Sequence, residues 1–325
     1  MDSKTMLDKN RIAISEVDLS IIIVNWNVAD SLKNCLTSIY KYIKSHSKEI
    51  IIVDNASPDN SVAMIKDNFK DIILIENKKN KGFATACNQG IKTSRGKYVL
   101  LLNPDTEIKE GIEKIISFLD KEKNIGVVSC VLLDEKGQRT ISYQSFPTIV
   151  RTFTFFSGFN KFFRQPFVSR ILQPVFQLFP SQCKHLERIN KVEEVDCVTG
   201  AFFLAKSELY AKIGLFDENY FMYFEETDLC LRAKKAGYKN YFFPRYSILH
   251  SGGKSAKKTN FNYLKLYADS LLYYFRKNHS FLCFLLVRII LFFSVSLKIL
   301  TASLFYFGVD KKEMLKSYFR ILNVN

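Results

Sequence analysis

The 325-residue chain has little of what builds loops and covalent frameworks: 13 glycines, 7 prolines and one tryptophan. That scarcity excludes collagen-like and linker-rich classes. Its cysteines, Cys35, Cys87, Cys130, Cys183, Cys197, Cys230 and Cys283, are odd in number and form no CxxC pair. This argues against a disulfide framework or a structural zinc site, and buried thiols in a reducing compartment are expected. GxGxxG, HExxH and GxSxG are missing, so the familiar dinucleotide, metallopeptidase and hydrolase signatures are absent. Gly253-Lys254-Ser255 suggests a phosphate-binding loop, but the glycine required at 248 is Ile248. The first eighteen residues lack an apolar core and carry both charges. No secretory signal is therefore expected, and the N-terminal domain is expected to stay in the cytosol.

What is present is a large apolar content, 47%, beside 24% charged residues, which rules out wholesale disorder. At about 100–200 residues per domain, the length suits one large domain, alone or with an appendage. Forty-seven Lys and Arg against 32 Asp and Glu give a net charge of +15. Such a balance suits a polyanionic partner: nucleic acid, an anionic membrane face or phosphate-bearing substrates.

Short apolar runs rich in β-branched residues recur at 19–24, 50–53, 72–75, 98–102 and 125–131. Without alternation, they read as strands buried on both faces, as in a parallel sheet. Helical patterns lie between them. Asp30 or Ser31 can cap one carrying Leu32, Leu36, Ile39 and Ile43. Ser57-Pro58-Asp59 opens another with Val62, Ile65 and Phe69, and 83–93 and 109–119 supply two more. Strand–helix alternation of this kind predicts a doubly wound α/β sheet, with ligands beyond the carboxyl ends of its strands. A core-like run at 195–205, a helix over 225–236 and a strand over 238–243 follow.

Two stretches differ in character. Residues 151–180 hold nine phenylalanines, interleaved basic residues and no acid. They are too apolar for an exposed nucleic-acid groove, so docking to a membrane or covering a lipid-linked acceptor is the expectation. From 254 to 325 there are 12 Lys and Arg against 3 Asp and Glu. Within this tail, 281–309 is apolar except for Arg288 and Lys298. It could cross a bilayer, but both charges would lie inside the span. A helix or helical hairpin in the interface, with both cations snorkelling to headgroups, fits better; a buried helix pair is the other reading.

Three acidic positions fall where a ligand would sit. Asp54 follows the strand 50–53, Asp105 follows the strand 98–102, and Glu225, Glu226 and Asp228 open a helix. Singly, Asp54 and Asp105 read equally as turn formers or caps. Together they suggest nucleotide-diphosphate chemistry. One carboxylate would bind a base or ribose, a second a divalent cation, and a third would take a proton from an attacking hydroxyl.

Six segments in order, 20–27 (SIIIVNWN), 51–61 (IIVDNASPDNS), 77–91 (NKKNKGFATACNQGI), 96–106 (GKYVLLLNPDT), 198–206 (VTGAFFLAK) and 216–238 (FDENYFMYFEETDLCLRAKKAGY), followed by His250 in HSGG, carry a family likeness. The chain resembles a family-2 glycosyltransferase of the GT-A fold, and within it the bacterial rhamnosyltransferase-like branch that builds surface polysaccharide. The resemblance covers 19–253, after an extension of 1–18 and before a basic, membrane-associating helical region of 254–325. It implies that Asn25 and Asp54 hold the nucleoside and that Asn80 and Gly82 line the nucleotide-sugar pocket. Asn103 and Asp105 match the family's metal motif, here Asn-Pro-Asp rather than Asp-x-Asp, leaving one carboxylate for Mg²⁺ or Mn²⁺. His250 is similar to a histidine that completes the metal site in some relatives; the other reading is a hydrogen-bonded strand-end histidine. The base position of an Glu-Asp pair is here Glu226, with Glu225 and Asp228 as alternatives. Asp228 has a competing partner in Arg232, four residues on.

The expected reaction is transfer of a sugar with inversion, dTDP-rhamnose being the favoured donor, to a hydroxyl of a polyprenyl-diphosphate-linked glycan at the cytoplasmic face of the membrane. A UDP-sugar donor, a sugar nucleotidyltransferase and a non-catalytic binding protein remain as alternatives. Nucleic acid is not expected as a partner.

Overall fold

A computed structural model describes residues 17–157, 190–252, 263–305 and 311–322. Most of the 1–18 extension, residues 158–180 of the phenylalanine-rich stretch, Cys183, and 253–262 and 306–310 of the tail lie outside the described residues.

The first half alternates strand and helix: β1 (Leu19–Asn25), α1 (Ala29–Tyr42), β2 (Lys48–Asp54), α2 (Ser61–Asn68), β3 (Ile73–Glu76), α3 (Phe83–Thr93) and β4 (Tyr98–Leu102). β2 and β4 flank β1 and β3 flanks β2, all parallel. Side chains along β1 divide between two cores. Leu19, Ile21 and Ile23 pack on one face with Leu32, Leu36 and Ile39 of α1, and Ile22 packs on the other with Ala84, Cys87 and Ile91 of α3. This two-sided burial explains why the runs are unbroken by polar residues.

The second half departs from the expected parallel sheet. β5 (Thr106–Ile108), α4 (Glu113–Lys121), β6 (Ile125–Leu133), β7 (Tyr143–Gln144), α5 (Ile149–Ser157), β8 (Glu193–Val195), β9 (Cys197–Val198), β10 (Phe202–Lys206), α6 (Ser207–Ile213), α7 (Glu225–Lys235) and β11 (Lys239–His250) follow. The main sheet runs β3-β2-β1-β4-β10-β6-β11-β5, with β8 also on β11. β10 is antiparallel to both neighbours, so the sheet is mixed. Apolar runs reveal burial, not direction, and β10 is buried on both faces like its parallel neighbours: Phe202 belongs to one core and Phe203 to the other.

Several helix starts differ from the sequence reading for tertiary reasons. α1 begins at Ala29, before Asp30 and Ser31, and its first N–H donates to Asp59 Oδ2 at 2.9 Å. α2 begins one turn after Ser57, because Ser57 is drawn to Asp54. α4 begins at Glu113 rather than at 109; β5 ends at Ile108, and residues 109–112 connect the two.

Three C-terminal helices complete the molecule: α8 (Tyr263–Asn278), α9 (Phe281–Phe305) and α10 (Lys311–Leu322). α8 is a core helix. Its Ala268, Leu271, Leu272, Tyr274 and Phe275 are buried in the cluster that contains Ile22, Val99 and Phe203 of the sheet. α9 is one continuous helix, not a hairpin. It buries Val287, Leu291 and Val295, while Phe281, Leu282, Phe292, Phe293, Leu297 and Leu300 are exposed. Lys298 Nζ lies 5.9 Å from the centre of the Phe156 ring of α5. Among the described residues the cysteines are free thiols, five of them buried.

Candidate active site

β1 and β2 end side by side, with Asn25 paired to Asp54 in register. Asn25 Nδ2 donates to Asp54 Oδ1 (2.8 Å) and to Ser57 Oγ (3.0 Å). The Ser57 N–H donates to Asp54 Oδ2 (2.9 Å) and its hydroxyl to Oδ1 (2.6 Å). Asp54 is thus a buried carboxylate with a full set of donors, fixed by the turn that follows it. Asn25 Oδ1 is buried without a hydrogen bond. A second layer backs this cluster: Asn55 Nδ2 donates to the Gly82 carbonyl (3.1 Å), Asn77 Nδ2 to Asn55 Oδ1 (2.9 Å), and the Asn77 and Gln89 amides bond reciprocally. Asn80 accepts the Gly82 N–H at 2.9 Å. Gly82 has φ +85°, and a Cβ there would lie 2.4 Å from the Phe221 carbonyl oxygen. Only glycine suits both demands. The same carbonyl accepts the Phe83 N–H at 2.7 Å, tying the start of α3 to the segment before α7.

A cavity of about 410 Å³ opens beside this edge. Its polar lining includes Asn103, Gln144, Arg151, Glu225, Glu226 and His250, and its apolar wall includes Phe155 and Phe156 of α5 and Tyr267 and Leu271 of α8. Glu226 Oε1 accepts the Gly200 N–H at 3.0 Å, and a Cβ at residue 200 would come within 2.5 Å of that oxygen. Glu225 is buried, and its Oε2 has no hydrogen bond. Burial raises the Glu225 carboxyl well above the ordinary range, and the charge of Glu226 raises it further. Burial also raises Glu226, opposed by its own N–H, that of Gly200 and the Glu225 carboxyl. A proton on one of the two relieves the like-charge pair. Both sit in the first turn of α7, where the helix N-terminus favours negative charge. Directly before them, Tyr223 (φ 72°) and Phe224 (φ 68°) occupy the left-handed region in succession. Such conformations cost on the order of 1–3 kcal/mol each and mark positions that the surroundings over-determine.

Asp228 lies apart from the cavity. Its fully buried carboxylate is held by Arg232 Nε (2.9 Å), Lys277 Nζ (2.8 Å) and Asn278 Nδ2 (3.2 Å). The geometry makes it an anchor of α7. Asp105 and His250 meet because β5 pairs with the end of β11, Thr106 opposite His250. His250 Nε2 is 3.4 Å from Asp105 Oδ1, buried and without a hydrogen bond. No cluster of three or more His, Cys, Asp or Glu with metal-binding geometry occurs among the described residues. The pair therefore offers one oxygen and one nitrogen, which suits a hard cation whose remaining ligands come from a diphosphate and water.

The structure thus divides the residues singled out from the sequence. Asn25, Asp54, Asn80 and Gly82 belong to the strand-end network. Asn103, His250, Glu225 and Glu226 line the cavity, with Asp105 against His250 and Asp228 outside it. Sequence reasoning missed Ser57, read there as a helix opener, and the Gly200 N–H, which no side-chain pattern reveals. It also missed α8 as part of the cavity wall.

Comparison with known proteins agrees with this architecture. The profile described as "Glycosyl transferase family 2" matches residues 20–181. The chain is 22% identical over 276 residues to N-acetylglucosaminyl-diphospho-decaprenol L-rhamnosyltransferase of Mycobacterium tuberculosis, covering 81% of this chain and 85% of that protein. It is 28% identical over 237 residues to the low-salt glycan biosynthesis hexosyltransferase Agl10 of Haloferax volcanii, covering 71% and 64%. The fold is similar to GalNAc-T7, solved with UDP, GalNAc and Mn²⁺, with a TM-score of 0.56 at 15% identity over 93% of this chain and 53% of that one. The chain carries a glycosyltransferase family 2 domain with a GT-A-like α/β fold.

Proposed function

From a family 2 glycosyltransferase domain with this site, we propose an inverting transferase that moves a sugar from a nucleotide-diphosphate donor to a hydroxyl of a lipid-linked glycan. The favoured donor is dTDP-L-rhamnose and the favoured acceptor a polyprenyl-diphosphate-linked glycan. The observation that carries this reading is Glu226, oriented by the Gly200 N–H in a cavity shared with Asn103 and His250. Asn25 and Asp54 take the nucleoside at the ends of β1 and β2, and the Asn80–Gly82 loop lies along the sugar diphosphate. Glu226 accepts the proton of the acceptor hydroxyl while that oxygen bonds to the anomeric carbon. The bond from that carbon to the diphosphate oxygen breaks, and nucleoside diphosphate leaves with the electron pair. Asp105 and His250 would hold Mg²⁺ or Mn²⁺, which when bound offsets charge on the diphosphate.

The exposed face of α9 supports a peripheral seat on the membrane. Its stretch Phe281–Leu304 reaches a mean hydropathy of 2.3 over 18 residues, and the tail adds basic residues. The M. tuberculosis relative is named for a lipid-linked acceptor, which supports a membrane-borne substrate; the proposed seat is the cytoplasmic face.

Incubating the full-length protein with a panel of nucleotide sugars and Mg²⁺ or Mn²⁺ tests the reading. Free nucleoside diphosphate from one donor is the expected product. Pyrophosphate would make the protein a nucleotidyltransferase, and turnover from UDP-sugars alone would replace the rhamnose assignment. No turnover with any donor would overturn the transferase reading.

A further inference from the structure

We propose that Lys277, on α8, is a positioning residue for the carboxylate pair of α7, so that the C-terminal helix sets the rate of transfer without touching the substrates. The proposal rests on the transferase reading above for its kinetic consequence, but not for its structural one.

The turn that delivers Glu225 and Glu226 is held from two sides. On the donor side, the Phe221 carbonyl accepts the Phe83 N–H at 2.7 Å. On the other side lies α8. Ser270 Oγ donates to the Met222 carbonyl at 2.8 Å, and Tyr273 OH donates to Asp217 Oδ2 at 2.9 Å. Lys277 Nζ lies 2.8 Å from Asp217 Oδ2 and 2.8 Å from Asp228 Oδ1. It therefore bridges the start of the loop that precedes α7 to the first turn of α7 itself. Tyr267 of the same helix packs its ring 4.9 Å from Phe224 and 5.8 Å from Tyr223, the two left-handed residues. Such a backbone conformation is kept only where its surroundings impose it. The contacts from α8 are among those that hold it here, beside the Phe83 N–H on the Phe221 carbonyl.

Lys277 does more than add one contact. Asp217 and Asp228 are two carboxylates brought together by the fold, and Asp228 is fully buried. Arg232 Nε neutralises one face of Asp228, but its guanidinium is also committed to the carbonyls of Ile213 (2.7 Å) and Leu215 (2.8 Å). Removing the Lys277 ammonium leaves the two carboxylates facing each other without the cation between them. The local response is separation of the 217–224 loop from α7, which carries Glu226 away from Gly200. Lys277 is not among the cavity-lining residues, so its effect reaches the chemistry only through that turn.

The test uses the full-length chain. Lys277→Met should lower kcat for transfer about tenfold to a hundredfold, the scale of a misplaced reacting group. Donor KM should stay within about twofold, because the strand-end network is untouched. Lys277→Arg should restore most of kcat, and Tyr273→Phe should lower it by a smaller factor. If kcat and folded fraction fall together, with the remaining folded protein fully active, Lys277 is merely structural and the proposal fails. Unchanged kcat in a folded Lys277→Met protein overturns it equally. Hydrogen exchange without substrates separates this from the transferase reading. Exchange over 217–228 should rise in Lys277→Met and return in Lys277→Arg, while 48–60 stays protected. Unaltered exchange over 217–228 refutes the positioning role whatever reaction the protein performs, and absent turnover in the unmodified chain refutes the transferase reading alone.

Discussion

The two polar regions along one edge of the sheet are built on opposite terms. The strand-end network of Asn25, Asp54, Asn55, Ser57, Asn77 and Gln89 comes from the first 89 residues, and its side chains pair with one another and with nearby backbone, while Asn25 Oδ1 has no hydrogen bond. The cavity is assembled from segments as distant as Phe83 and Leu271. It keeps Glu225 Oε2 and His250 Nε2 without hydrogen bonds and sets two carboxyls side by side after two left-handed residues. The first is a cradle satisfied before any ligand arrives. The second stores unsatisfied polarity and strain, and the rest of the fold must hold it in place. Both regions share the core that α8 completes, but the C-terminal helices contact the cavity wall directly and the cradle only through that core.

The sharpest way to break this comparison is to remove those helices in two steps. Deleting 263–325 takes Leu271, Leu272, Tyr274 and Phe275 out of the shared core. At about 2–5 kcal/mol per large buried side chain, this exceeds the stability of a typical domain, so no cooperative unfolding transition should remain by calorimetry. Deleting 280–325 keeps α8 and its ion pairs. That protein should retain donor turnover but no longer sediment with anionic vesicles.

Glu226→Gln comes next in size. The amide can still accept the Gly200 N–H but cannot take a proton, so kcat should fall by about 10²–10⁴. Donor affinity, measured separately by calorimetric titration, should be unchanged. Normal turnover would move the base to Glu225.

Asp54→Asn probes the cradle. One amide oxygen cannot serve the three donors that the carboxylate now accepts. Hydrogen bonds to a charged group contribute about 1.5–3 kcal/mol each, so donor Kd should weaken by roughly tenfold to a hundredfold with little change in kcat. An equal loss in kcat would show that the two regions are not separable.

The smallest effect concerns acid. Burial alone would raise the Asp217 carboxyl, but Lys277, the Asn219 N–H and Tyr273 hold it down at about 2 against an ordinary 3.8. A depressed carboxylate stabilises the native state above its unfolded value, and that stability is lost as pH falls through the folded one. Between about pH 4 and 2 the chain should lose at most about 2 kcal/mol through this group. The loss should be absent in Asp217→Asn when unfolding is followed by urea titration at each pH.

Much of the first half was legible because its signals are local. The run at 98–102 is β4, the pattern at 83–93 is α3, and Asp54 and Glu225 fall at the ends that apolar spacing marks. The second half was less legible because its signals are not local. The helix expected over 109–119 begins only at Glu113, and the short strand Thr106–Ile108 that pairs with β11 left no apolar run long enough to read. α8 reads as part of a basic tail, and only contact with the sheet shows that half of it is core.

By itself, the sequence determined which segments are buried, where carboxylates leave strands and helices, and the family likeness those motifs carry, because each depends on neighbours a few residues away. Only the tertiary structure decided that β10 enters antiparallel, that His250 meets Asp105, that Glu226 is aimed by the Gly200 N–H, and that Asp228 anchors α7 through Lys277. Those outcomes depend on pairing between segments dozens of residues apart. Burial pattern constrains such pairing, but strand direction and ion-pair partners are settled by which packing leaves the fewest charges and backbone groups unpaired.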